Sequence, residues 1–184
     1  MNAAPIEGVR LRWQRTLGRL PAWLLPGLLG IVLVLAGNLW PWTAADQLPS
    51  PHWLLILVFH WSIHRPQALP PLLLAALGLL QDLWWGGPLG SNLLLLLIVQ
   101  AILLDERRLI RKFSLTQKMI VFGVVAFFYE LLFYLLADLY WNPGPPWRPF
   151  LVQAGETLLL YPVVVLLLGR LERALLGTRW KARG

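Results

Sequence analysis

Glu130 is the ionisable residue best placed to do chemistry. It stands in the middle of an apolar stretch, residues 119–140, and no Lys or Arg lies inside any comparable stretch of the chain. A charged side chain at the centre of a bilayer costs at least about 2.5–3.5 kcal/mol on insertion scales. Glu130 is therefore expected to be neutral, or hydrogen-bonded to a polar group such as His60, Gln100 or Tyr129, and to face a bundle interior. Its functional readings are a proton site, a ligand contact or a polar clasp on a partner helix. Its plain structural reading is an interhelical hydrogen bond worth around 1 kcal/mol.

Asp82 is the second carboxylate of interest because of the run it begins: Asp82-Leu83-Trp84-Trp85-Gly86-Gly87-Pro88-Leu89-Gly90. An acid closes one helix, glycines turn the chain, and Pro-Leu-Gly opens the next. Asp82 can accept backbone N–H groups exposed at the start of that next helix. Glu130, Asp82, Gly86, Pro88, Leu89 and Gly90 are thus the candidates for partner or ligand contact. Glu156, near the outer end of its helix, is read as solvated. His60 and His64 are four apart and share a helix face, but a third metal ligand is not evident and HExxH is absent; a polar pair near a helix end is the expected role. There is no cysteine, so disulfides, thiolate catalysis and Cys-based zinc sites fall away together. No G-x-S-x-G elbow, phosphate loop or dinucleotide fingerprint occurs. The chain reads as a non-enzyme with no metal and no cofactor.

The elements that position these residues are apolar helices. Of 184 residues, 58% are hydrophobic and only 14% charged, against roughly 45–50% and 25% in soluble domains. Mean hydropathy is +0.62. Disordered, collagen-like and coiled-coil chains are excluded, and a soluble enzyme is disfavoured. Six apolar segments run at about 22–40, 51–63, 68–85, 89–104, 119–140 and 150–169. Crossing the hydrocarbon core takes about 17–25 helical residues. The fourth segment is slightly short. The second makes only about 20 Å of helix at 1.5 Å per residue, so the second and third form either two spans or a re-entrant hairpin around His64-Arg65-Pro66. The fold class is all-α: a polytopic membrane protein of six transmembrane helices, the second short. Tyr161-Pro162 is expected to kink the last.

Loop charges orient the chain, since Lys and Arg favour the cytoplasmic side. Fifteen of the sixteen basic residues fall on the N-terminal segment, Arg65, the stretch 105–118 and the C-terminus, all on one side; Arg148 alone lies opposite. Both termini are therefore expected in the cytoplasm. The net charge of +7 reflects membrane orientation, not nucleic-acid binding. The opposite loops carry Trp40-Pro41-Trp42, Trp84-Trp85 and Trp141 to Trp147, interfacial residues among stiff prolines. The organisation is a basic segment 1–21, a six-helix domain 22–172 and a basic tail 173–184. Ile6, Val9, Trp13, Leu17 and Leu20 form a helical stripe that suits either an interfacial helix or a solvated terminus. Thr43-Ala44-Ala45 looks like a cleavage site, but the nineteen apolar residues before it exceed the 7–15 or so of a signal peptide; cleavage is not expected.

Several pieces, in order over roughly residues 38–175, resemble the rod shape-determining membrane protein family MreD. They are Trp40-Pro41-Trp42, Pro51-His52-Trp53-Leu54-Leu55-Ile56-Leu57 with Trp61, His64-Arg65-Pro66, Asp82-x3-Gly86-x-Pro88-Leu89-Gly90, Leu115-Thr116-Gln117, and Leu160-Tyr161-Pro162 followed by Arg170, Arg173 and a basic tail. The N-terminal extension of about twenty residues and the Trp84-Trp85 pair depart from the family pattern. The resemblance implies a non-enzymatic inner-membrane subunit of the bacterial elongation machinery. It implies association with the bitopic protein MreC and, through it, with the glycosyltransferase RodA, a class B penicillin-binding transpeptidase and the filament protein MreB. The family resembles the S components of ECF vitamin transporters in fold. Gly78, Gly86, Gly90 and Gly123 would allow close helix approach, and the stretch 105–118 would face anionic lipid and filament proteins. A small-molecule-binding transport component of S-component type is the alternative; an intramembrane enzyme lacks paired catalytic residues in one plane.

Overall fold

The computed structural model of the chain describes residues 24–37, 50–141 and 144–176, the last five as backbone alone. Among these residues the regular structure is entirely helical: α1 (Leu24–Gly37), α2 (Trp53–His64), a 3-10 turn (Pro66–Ala68), α3 (Pro71–Trp85), α4 (Ser91–Ile110), α5 (Leu115–Tyr140) and α6 (Arg148–Leu176). The stripe from Ile6 to Leu20, Trp40-Pro41-Trp42, the site at Thr43 to Ala45 and the tail beyond residue 176 lie outside the described residues.

Helix α2 is the centre of the bundle. Its first seven residues, Trp53 to Phe59, are apolar on every side, and such a stretch must be buried all round. Residues 54–63 are indeed all buried, packed among α1, α4 and α6. Phe59 meets Phe122 of α5 and Tyr161 of α6 edge-on, and those two rings stack 4.4 Å apart. At twelve residues α2 is about 18 Å long, short of the roughly 30 Å hydrocarbon core. The chain then reverses, because His52 at the start of α2 meets Gln81 near the end of α3.

Helices α3 and α4 touch backbone to backbone. A Cβ on Gly78 would lie 2.6 Å from the Leu93 Cα, so only glycine admits this crossing. Gly86 and Gly90 serve differently from the close approach expected of them: a Cβ at either would meet nothing within 4 Å, but φ is +71° and +87°, the left-handed region that glycine enters freely. They shape the turn. Trp85 lies against Gly37 of α1, with its indole N–H directed at the Val34 carbonyl.

The stretch 105–118 is less of a loop than its charges suggest. Helix α4 carries on through Asp105, Glu106, Arg107 and Arg108 to Ile110, and α5 begins at Leu115 behind a capping box in which Ser114 and Gln117 bond each other's backbone N–H. The basic side chains therefore project mostly from helix ends. The Arg111 guanidinium donates to the His64 carbonyl at 2.8 Å, tying the end of α4 to the end of α2.

Among the described residues, helices α5 and α6 are the two long and apolar enough to cross a membrane. Core helices of soluble proteins pass the same test, but they are mostly buried; the apolar windows of α5 and α6 are only 22% buried. Ile120, Val124, Phe127, Phe128, Leu159 and Val163 are all exposed, more apolar surface than a water-soluble monomer usually shows. Helix α6 runs through Pro162 without interruption.

Candidate functional site

Most of the buried polar residues of the described chain gather in one layer, where α2 and α4 begin, α3 ends, α5 passes through its middle and α6 through its first third; His60, Ser62 and Gln100 lie apart from it. The α3–α4 turn supplies its first half. Asp82, in the last turn of α3, accepts the N–H of Gly90 at 2.9 Å, the N–H of Asn92 at 3.1 Å and the side-chain amide of Asn92 at 2.8 Å. The Ser91 hydroxyl lies 3.3 Å from the same carboxylate and donates to the Pro88 carbonyl at 2.7 Å. Asp82 thus occupies the place of an N-cap for α4, whose own N-cap residue, Gly90, has no side chain to offer. The Asn92 carbonyl oxygen accepts the Tyr129 hydroxyl, which carries the layer across to α5.

The second half centres on His52. Its ring sits edge-on to Tyr129 at 5.0 Å. The side-chain amide nitrogen of Gln81 is 3.3 Å from Nδ1, and Glu130 Oε1 is 3.2 Å from Nε2. The His52 backbone N–H donates to the Thr157 hydroxyl at 3.0 Å; that hydroxyl donates to the Gln153 carbonyl, and the Gln153 amide donates to the Ser50 carbonyl at 2.7 Å. Ser50, His52, Gln81, Asp82, Asn92, Glu130, Gln153 and Thr157 are all buried, and they join five of the six helices. Glu130 and His52 stand at ion-pair distance, but their alignment is not that of a hydrogen bond, and neither Glu130 oxygen has a hydrogen-bond partner.

The partner of Glu130 differs from those expected. Gln100 donates to the Leu69 carbonyl, Tyr129 to Asn92, and His60 stacks on His64 with ring centroids 4.6 Å apart. Glu130 faces His52 instead. That residue carries a weak signal in the sequence: it is a histidine opening an apolar run, right after Pro51. Of the other candidates, Gly86, Pro88 and Gly90 build the turn around Asp82, and Leu89 projects from it at 67% exposure. Among the described residues no group of three or more His, Asp or Glu is placed to hold a metal ion. What the layer can do chemically is fasten helices together and hold protons.

The sequence profile of the family described as rod shape-determining protein MreD matches residues 17–171, which takes in the whole polar layer. The chain belongs to the MreD family. It is 27% identical over 142 residues to the rod shape-determining protein MreD of Haemophilus influenzae, an alignment covering 77% of this chain and 87% of that protein. No solved structure matches the chain. As an MreD-family protein with two long, exposed apolar helices, it is a membrane protein of the rod shape-determining system.

Proposed function

We propose that this chain is a non-enzymatic scaffold of the bacterial elongation complex, supporting lateral peptidoglycan synthesis and rod shape through association with MreC. RodA, a class B penicillin-binding transpeptidase and MreB are reached through that complex. The observation that carries the reading is the apolar surface of α5 and α6, which is too exposed to be a private core. In lipid, helices associate by packing, small residues and a few hydrogen bonds, and a scaffold needs such surface more than it needs a cleft. In this reading the chain crosses the inner membrane six times, as a bundle of S-component type, with both termini cytoplasmic. Segment 1–21 and tail 173–184 flank the domain 22–172. Arg107, Arg108, Arg111, Lys112 and Lys118 meet anionic headgroups on the cytoplasmic side. Leu89, exposed at the tip of the turn, is the partner contact; Asp82, Gly86, Pro88 and Gly90 hold it in place, and Glu130 acts from inside.

The test is co-purification. Tagged chain extracted from rod-shaped cells should bring MreC with it, and its depletion should round the cells. Normal rods after depletion, together with no MreC recovered, would refute the reading. A small molecule retained in stoichiometric amount through purification would favour the transport alternative instead.

A further inference from the structure

Four buried polar atoms without hydrogen-bond partners converge where α2 begins, α3 ends and α5 passes. They are His52 Nε2, Gln81 Oε1 and both carboxyl oxygens of Glu130. Roughly nine in ten buried polar groups find a partner, so four at one place mark a site that something else completes. Three of the four are acceptor oxygens, so the ligand brings hydrogens. It is small, because His52, Gln81 and Glu130 are each no more than 4% exposed. It is not a transition metal, since His52 and Glu130 alone are of ligating type there. Water and the proton meet these terms.

The charges around the site make the same point. Facing it from α3 is Asp82, an acid with its own three N–H donors; from α5, Tyr129, whose hydroxyl is engaged by Asn92; from α4 and α6, the uncharged Asn92, Gln153 and Thr157. Helix α1 carries no titratable residue. No cation from these elements stands ready to balance an ionised Glu130 beside a neutral His52, and a lone buried charge is costly.

We propose that this junction is a hydrated proton-binding site, in which ordered water donates to Glu130 and Gln81 while His52 and Glu130 hold one exchangeable proton in common. With the proton on a carboxyl oxygen, both side chains are neutral. Shifted to the imidazole nitrogen, it leaves an ion pair with the same net charge and the same number of protons. The inference is independent of the scaffold reading, because it concerns the interior and not the partner surface.

The full-length protein in lipid vesicles tests it by two measurements on one sample: the infrared carboxyl band of protonated Glu130, assigned by its loss in E130Q, and the ring-nitrogen NMR of His52, assigned among the three histidines by H52Q. At neutral pH the protonated fraction of Glu130 and the imidazolium fraction of His52 should sum to one. The carboxyl band should shift in D2O while the backbone amides of α2 remain protected. Ionised Glu130 beside neutral His52, or a carboxyl that takes up deuterium only when those amides do, overturns the proposal. If E130Q does not fold, the wild-type ring-nitrogen spectrum and the displacement of the carboxyl band in H52Q decide it in the same way.

Discussion

Asp82 and Glu130 are both carboxylates buried to within 2%, yet their surroundings are opposite. Asp82 holds the N–H groups of Gly90 and Asn92 and the Asn92 amide. Glu130 has one histidine at ion-pair distance and two oxygens without a hydrogen bond. An acid saturated by such donors is a fastening: its oxygens are held by groups that cannot move without unwinding a helix. An acid facing a single titratable ring retains a choice of protonation state. Burial alone therefore says little about a carboxylate's role; the kind of donor around it says more.

Substitutions make this contrast measurable through unfolding in detergent micelles. Asp82→Ala should have the largest effect, a loss on the order of 3 kcal/mol, because it strands several buried donors at once. A loss under about 1 kcal/mol would erase the distinction between the two acids. Asn92→Ala should cost about 2 kcal/mol, since it removes a donor from Asp82 and the acceptor of Tyr129 together. A double-mutant cycle with Tyr129→Phe should then show that the two changes are not additive. Ser114→Ala, at the exposed capping box, should cost about 1 kcal/mol and sets the scale for a helix cap in water. Glu130→Gln should be mildest, within about 1 kcal/mol, as it breaks no aligned hydrogen bond; a cost equal to that of Asp82→Ala would show that Glu130 is a fastening too.

The two sites also differ in how visible they are in the sequence. Asp82 and its donors lie within ten residues of one another, so the glycines and the proline between them reveal the turn and the cap. The surroundings of Glu130 come from α2 and α3, and the bonds that hold the start of α2 in place span 103 and 105 residues. Nothing local records them, and the expected neighbours His60, Gln100 and Tyr129 all have other partners. The six apolar segments coincide with six helices, but their limits do not. Hydropathy finds where a helix leaves an apolar environment, whereas hydrogen bonding continues through Asp105 to Arg108 and starts again at Leu115. The short second segment was legible as short; that it forms the axis of the bundle is implied only by its run from Trp53 to Phe59, which has no polar side.

Arg111 gives that axis an external handle. Its guanidinium satisfies a carbonyl at the last turn of α2, at the negative end of the helix dipole. Anything that claims Arg111 from outside, whether a phosphate headgroup or an acidic side chain, must first take it from the most deeply enclosed of the described helices.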